Sequence, residues 1–286
     1  MTESLTRRHF IAVVGLGLCS TPAGRVRRSR PPRVQLRVGR LDSSSMMNAD
    51  RRDGATLGVE EARHAAEMFG GSVDLMAFAD PRQAPHDATA LLGDDDAGRC
   101  KLLAAAASSH GQLFFNVVCA SDALGDARCS PTAFHVWPSD AMCRDARASV
   151  KASAAADVVA WDGSLVRFGA DSLNLRYSRR FGRPMTPAAW CSWLAIKILW
   201  ETSLRAKRSD PAVLSRTLIS DSTQFDGHKG RPLSFRSWDR QLRQPLYVRS
   251  ASTLVEAPRP TGEDESSRDV LDLLGGARAT SACHST

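Results

Sequence analysis

The sequence predicts an α/β fold, a parallel sheet with helices on both faces. Two observations carry this. Between residues 34 and 124 strand-like and helix-like runs alternate, which implies βαβ units and a parallel sheet. The runs VDLMAFA (Val73–Ala79) and QLFFNVV (Gln112–Val118) are dense in apolar residues without in/out alternation, as suits strands buried on both faces.

Taken in order, Val34–Leu41 (VQLRVGRL) alternates as a strand does. Gly54–Phe69 places Leu57, Glu61, His64 and Met68 on neighbouring turns, a helix stopped by Gly70-Gly71. Asp80-Pro81 closes the strand Val73–Ala79, and Ala88–Leu92 is a short third strand. Ala-rich Cys100–Ser108 is helical and leads into Gln112–Val118. In the second half the order changes. Asp157–Trp161 is a short strand, Ser164–Phe181 an amphipathic helix ended by Gly182, and Thr186–Lys207 a long apolar helix with Pro187 at its start. Asp210-Pro211 is an N-cap and first-turn signal for a helix to Leu218. Phe225–Gly230 (FDGHKG) lacks a following helix, so its glycines do not cradle phosphate; Gly227 and Gly230 instead supply turn angles. Pro232–Phe235 and Pro245–Val248 then read as a hairpin turning at Trp238–Gln241, with its arginines on the solvent face. Residues 251–286, rich in Pro, Glu, Ser and Arg, read as a disordered tail.

Charge excludes a nucleic-acid role. The net +7 is concentrated in residues 1–40, where nine arginines face Glu3 alone, and the remaining residues sum to −1. That leader has Arg7-Arg8 before the apolar Ile11–Cys19 and small residues near Ala23, the pattern of a twin-arginine export signal over residues 1–24. The arginines at 25, 27, 28 and 30 sit awkwardly behind it. No run of 18 apolar residues suggests a membrane-spanning helix. Seven cysteines form no CxxC pair, and no histidine pair has ligand spacing, so no metal is expected. In an oxidising compartment Cys119 and Cys129 close a short loop as a disulfide, with unbonded thiols the alternative. Asp94-Asp95-Asp96 reads as a solvated loop before a metal cluster, since no second acidic cluster accompanies it. His64 and His135 stand alone, Trp190, Trp193 and Trp200 have core spacing, and no GxSxG elbow or cofactor motif occurs. Nothing amounts to an enzyme signature.

Sheets of this class bind ligands at the carboxyl ends of their strands. Here those ends are Asp42–Ser45, Gly93–Asp96 and Cys119–Asp122.

Several stretches together resemble the solute-binding proteins of ABC importers, type I periplasmic binding fold, the class of the branched-chain amino acid receptors. They are GVEEAR (58–63), GQLFFNVVCASDAL (111–124), FHVWPSDAM (134–142), Phe168–Pro184 with its RFGRP ending, Trp190–Leu204, Asp210–Leu218 and Phe225–Val248. LSFRSWDRQLRQPLYV is most similar to a branch associated with pyrroloquinoline-quinone (PQQ) alcohol oxidation. The resemblance implies an exported, non-catalytic periplasmic protein that takes an amino acid, amide or small organic solute without a cofactor and delivers it to an ABC permease in the inner membrane. By position Asp95, Ala120 and Ser121 would hold the ligand. It also implies an N-terminal lobe over 34–140 and a C-terminal lobe over 141–250. The second lobe is incomplete: Arg144–Ala156 supplies almost none of the usual βα units, and Asp80–Asp87 is short where a helix is expected. Three consequences are expected: uncovered apolar faces on Ala189–Leu204, weak binding, and room for alternatives. Those alternatives are a periplasmic accessory of a PQQ-dependent alcohol dehydrogenase system and a decayed, non-binding copy.

Overall fold

In the computed structural model residues 34–250, 253–258, 268–276, 278, 281 and 283 are described. The export-signal expectation at residues 1–24 lies outside them. Along the chain run β1 (Gln35–Leu41), α1 (Met46–Phe69), β2 (Ser72–Phe78), β3 (Ala90–Leu92), α2 (Ala97–Ser109), β4 (Leu113–Asn116), β5 (Ala133–His135) and α3 (Asp140–Ser149). There follow β6 (Asp157–Val159), α4 (Ala170–Phe181), α5 (Pro187–Ala206), α6 (Pro211–Leu218), β7 (Phe225–Asp226), β8 (Pro232–Phe235), β9 (Leu242–Arg243), β10 (Leu246–Ser250), β11 (Thr253–Ala257) and α7 (Arg268–Leu271).

The first five strands form one parallel sheet in the order β2-β1-β3-β4-β5. Successive residues of its strands feed two cores. Ala90, Leu92, Leu113 and Phe115 pack with α1 and α5, while Leu91 and Phe114 meet Cys100, Leu103 and Ala107 of α2. The sheet is therefore covered on both faces, as its apolar strands predict.

α1 begins eight residues before Gly54. A glycine weakens a helix interior, yet this one is required. A Cβ at Gly54 would lie 2.0 Å from the backbone oxygen of Ala189, so only glycine lets α1 and α5 cross this closely. α5 is buried along most of its length, Trp190, Trp193, Leu194, Ile196 and Leu199 included. The expectation of uncovered apolar faces on Ala189–Leu204 is overturned, because α1, the sheet and the C-terminal elements enclose the helix. Its start follows the sequence: Thr186 Oγ1 accepts from Ala189 N at 3.3 Å, with Pro187 in the first turn.

Beyond β5 the described residues hold no second parallel sheet. They form two three-stranded antiparallel sheets, β11-β10-β6 and β7-β8-β9. The second lobe is thus incomplete, although α3 occupies the start of the stretch expected to be empty. The segment at 80–87 holds only a short 3-10 turn, Pro81–Gln83.

Four expectations are corrected. β8 pairs with β9 through the turn at 236–241, while β10 leaves to pair with β6 and β11. The arginines there are not on a solvent face: Arg236 and Arg243 are buried. Nor is the stretch after 250 without structure. β11 pairs along β10, and Val270, Leu271 and Leu274 are buried. Finally, the disulfide joins Cys129 to Cys283, with Cα atoms 5.2 Å apart, and not to Cys119. Cys119 is a buried free thiol in the α2-side core. Nearness in sequence did not decide the pairing: Cys119 contacts the Cys100 thiol instead.

Candidate functional site

In the order 2-1-3-4-5 the chain reverses direction between β1 and β3, and such sheets open a crevice at the carboxyl end of that switch point. The loops after β1 and β3 meet there. Ser45 Oγ donates to Asp95 Oδ1 at 2.8 Å and Ser43 Oγ to the same oxygen at 3.3 Å. Ser45 is the N-cap residue of α1, yet its hydroxyl caps no backbone amide. It is turned toward Asp95 instead. Asp95 is partly exposed and has no ion-pair partner among the described residues.

Two guanidinium groups hold this edge in shape. Arg51, wholly buried, reaches back from α1 and donates to the carbonyls of Leu41 (3.0 Å) and Gly93 (2.8 Å), joining the ends of β1 and β3. It also donates to Asn48 Oδ1 at 2.9 Å and Ser43 Oγ at 3.3 Å. Burial lowers Arg51 from the ordinary guanidinium value, opposed by Asp94 and Asp95. Arg99 of α2 donates to the carbonyls of Asp42 and Ala79, each at 2.7 Å, joining β1 to β2. Its Nε lies 3.1 Å from Asp94 Oδ2. Burial raises the Asp94 carboxyl above the usual range, against the pull of the Asp96 N–H it accepts and of Arg99. Arg40 pairs with Asp42 at 2.7 Å. Asp42 and Asp94 are therefore each paired with an arginine, while Asp95 and the α2 cap Asp96 have no ion pair among the described residues.

Ala120 and Ser121 lie one strand further on, after β4, with Ser121 opening a 3-10 stretch that runs to Cys129. Asn116 shapes this loop: its Oδ1 accepts from Cys119 N at 2.9 Å and its Nδ2 donates to Cys119 O at 2.7 Å. Cys100 ties the loops after β3 and β4 together, its thiol 2.9 Å from Asp94 O and in contact with Cys119. That contact, and then burial, hold the Cys100 thiol far above its ordinary value. Ala120 makes no hydrogen bond to Asp95; the two border the same edge from neighbouring loops.

Past β5 the edge opens into a cavity of about 380 Å³, whose lining includes Asp122, Arg128, His135, Asp239, Gln241 and Gly275. Asp122 and Arg128 pair at 2.7 Å. His135 is buried, lies 3.0 Å from the carbonyl of Arg128 through Nε2, and has its pKa lowered by burial. No group of three or more metal-ligating side chains occurs among the described residues. Sequence reasoning passed over Arg51, whose setting in NADRRDG looks like a solvent-facing turn, and undervalued His135.

No protein family's sequence model matches the chain, and no curated protein does. Solved structures do. The substrate-binding protein LivJ of Streptococcus pneumoniae, in complex with isoleucine, is similar at TM-score 0.58 and 12% identity, covering 78% of this chain and 99% of that one. A solute-binding protein of an ABC transporter from Rhodopseudomonas palustris, in complex with 3,4-dihydroxybenzoic acid, is similar at TM-score 0.62 and 8% identity, covering 78% and 96%. A periplasmic binding protein of Burkholderia mallei gives 0.59 and 11%, covering 75% and 88%. The chain has the fold of the periplasmic substrate-binding proteins of the branched-chain amino acid type, with its second lobe reduced.

Proposed function

We propose that the chain is the exported solute-binding component of an ABC importer, non-catalytic, taking a small ammonium-bearing solute such as an amino acid or its amide. The observation that carries this is the switch-point edge after β1 and β3, where Asp95 accepts from Ser43 and Ser45 and has no ion pair among the described residues. A fixed carboxylate flanked by hydroxyls suits an ammonium group. It disfavours a solute that offers only a carboxylate. Neighbours of the same fold are described in complex with isoleucine, leucine and hydroxybenzoates. Among these classes the crevice chemistry favours the first two. Ala120 and Ser121 would border the bound solute from the β4 loop.

An oxidising destination is supported by the Cys129–Cys283 bridge, since such bonds persist in exported proteins. Among the described residues no helix is long and apolar enough to cross a membrane. The permease is then the membrane partner.

Thermal melting against a panel of amino acids, amides and hydroxybenzoates tests the reading. A ligand that binds only the native state raises the midpoint by mass action. The expected result is a shift with an amino acid or amide that Asp95→Asn abolishes. A shift with hydroxybenzoates that survives Asp95→Asn would move the site elsewhere. No shift with any solute would remove the receptor reading.

A further inference from the structure

We infer that His86 and His110 form a surface site for a divalent cation that takes its ligands at right angles, Ni²⁺ or Cu²⁺, at the end of the sheet opposite the Asp95 crevice. The two residues are far apart in sequence, and no spacing rule links them. The fold brings them together: their ring centres lie 4.3 Å apart with the planes at 88°. Both residues are exposed, and both line a hollow of about 500 Å³ that also takes in Gln35, Asp87, Gln112 and Asp210. Gln35 opens β1, Asp87 precedes β3 and Gln112 precedes β4. The hollow therefore sits at the amino ends of these parallel strands, and the crevice at their carboxyl ends.

Neither histidine hangs on a loose loop. Gln112, 2% exposed, donates from Nε2 to the carbonyls of Pro85 and Ala88, each at 2.8 Å. That amide clamps the turn carrying His86, which is closed by Ala88 N donating to Pro85 O at 3.1 Å. On the other side His110 ends α2, its N–H donating to Ala106 O at 3.1 Å, and Gln112 N donates to Ala107 O at 2.8 Å. One buried residue thus fixes the backbones of both histidines relative to each other. A two-ligand site needs this, since ordering mobile ligands costs entropy. The nearby acids are engaged elsewhere. Asp87 pairs with Arg37, and Asp210 Oδ1 accepts from Val213 N at 2.9 Å as the cap of α6. The two imidazoles are the protein ligands, and water completes the coordination.

The ring separation selects the metal. A metal–imidazole bond of about 2.0–2.1 Å puts the ion about 3.2 Å from each ring centre. Two imidazoles at a right angle then have centres about 4.5 Å apart, and at the tetrahedral angle about 5.2 Å. The observed 4.3 Å fits the right angle, which belongs to tetragonal Cu²⁺ and Ni²⁺ with nitrogen and oxygen ligands, whereas Zn²⁺ is tetrahedral. Rotation about χ2, which is soft in histidine, aims one nitrogen of each ring at the shared point.

Calorimetric titration of the full chain with Ni²⁺ is the test; Cu²⁺ is avoided because it oxidises free thiols, and Cys143 is only half-buried. The expected result is binding that weakens about tenfold or more in His86→Gln and again in His110→Gln, the scale on which even outer partners of a metal act. His64→Gln, exposed on α1, is the control and should leave the affinity unchanged. Ni²⁺ should also bind more tightly than Zn²⁺. A second readout needs no substitution. In the native protein, substoichiometric Ni²⁺ should broaden the imidazole NMR signals of His86 and His110 before those of His64 and His228. Affinity kept in either single variant, an equal loss in His64→Gln, broadening led by another histidine, or tighter binding of Zn²⁺ would each overturn the site. No solute is present and the crevice is untouched, so failure here leaves the receptor reading standing.

Discussion

Lys229 brings an ammonium group into the core, with the residue 1% exposed. Its Nζ donates to Gln244 Oε1 at 2.7 Å and Pro245 O at 2.9 Å and lies 4.0 Å from the centre of the Trp190 ring. Burial pushes its pKa down to about 7, with Cys191 and Glu256 pulling upward. In the unfolded chain a lysine titrates near 10.4, so above pH 7 the native state binds fewer protons than the unfolded one. Stability then rises with pH from 7 upward, by at most about 1.4 kcal/mol per unit. The carbonyl acceptors and the ring face favour the ammonium and make that slope a ceiling. Cys143 and Cys191, pushed by burial up to about 11 and about 12, act oppositely once unfolded thiols ionise near pH 8.5. The window is therefore pH 7 to 8.5. Urea midpoints should climb across it in the native protein and stay flat in Lys229→Met; equal slopes would remove Lys229 as the cause. Nearby, Gly230 sits at φ +72°, and a Cβ there would lie 2.4 Å from the Phe168 ring. Gly230→Ala should cost at least about 1 kcal/mol by the same assay. Gly227 has no such angle; its side is closed by Leu233 at 2.4 Å, so it is required by space and not by turn geometry.

Between elements, α4 is fastened to α1 by a row of arginines. Arg176 pairs with Glu61 at 2.8 Å, Arg180 with Glu60 at 2.9 Å, and Arg183 with Asp53 at 2.7 Å and with Asp50. The pairs differ in burial. Arg180 is exposed, and pairs of that kind contribute little. Asp50 and Asp53 are partly buried beneath Arg183, and its removal takes the pair from Asp50 and leaves Asp53 with Arg52 at 3.3 Å. Arg183→Ala should cost about 1–2 kcal/mol, with Arg180→Ala indistinguishable from the parent in chemical denaturation. The reverse order would mean that the ladder's exposed end carries the joint. Much of this level was legible in the sequence. β1, β2 and β4, the start of α5 at Pro187, the cap Asp210 and the stop at Gly70 follow from periodicity and end signals, which are local. What was not legible depends on distant partners. β8 and β10 are both short and apolar, and nothing local says that β10 pairs with β6. The tail's anchors, Val270, Leu271 and Leu274, are diluted by charged and small residues, so average composition hid them. At the site, Asp95 could be named as an acid after a strand. Arg51 could not, because its carbonyl partners Leu41 and Gly93 come together only when β1 and β3 pair.

At the scale of the whole molecule, the reduced second lobe changes how a solute can be held. Two-lobed receptors bury their ligand by hinge closure, and burial from both sides is what gives such sites their affinity. Here the C-terminal elements are spent on enclosing α5 and on two small antiparallel sheets. One core cluster runs from Leu36 of β1 through Trp193 of α5 to Leu246 of β10. A hinge needs two cores that move past each other, and that continuous packing leaves no plane along which to open. Solute at the Asp95 crevice would thus meet one fixed wall. Small-angle scattering of the protein with and without a saturating amino acid should give radii of gyration equal to within about 0.5 Å, as expected when no domain closes. A contraction well beyond that would restore a hinge and require a moving element on the C-terminal side. Export can be tested separately: if Arg7 and Arg8 are read by the twin-arginine receptor, Arg7→Lys with Arg8→Lys should retain the protein in the cytoplasm. Fractionation would show it, with the Cys129–Cys283 bond as a second readout. Retained protein should carry reduced thiols at both positions, since the cytosol keeps such bonds open. A retained yet bridged protein would mean that the fold, rather than the compartment, protects the bond, and normal export of the double variant would end the twin-arginine assignment.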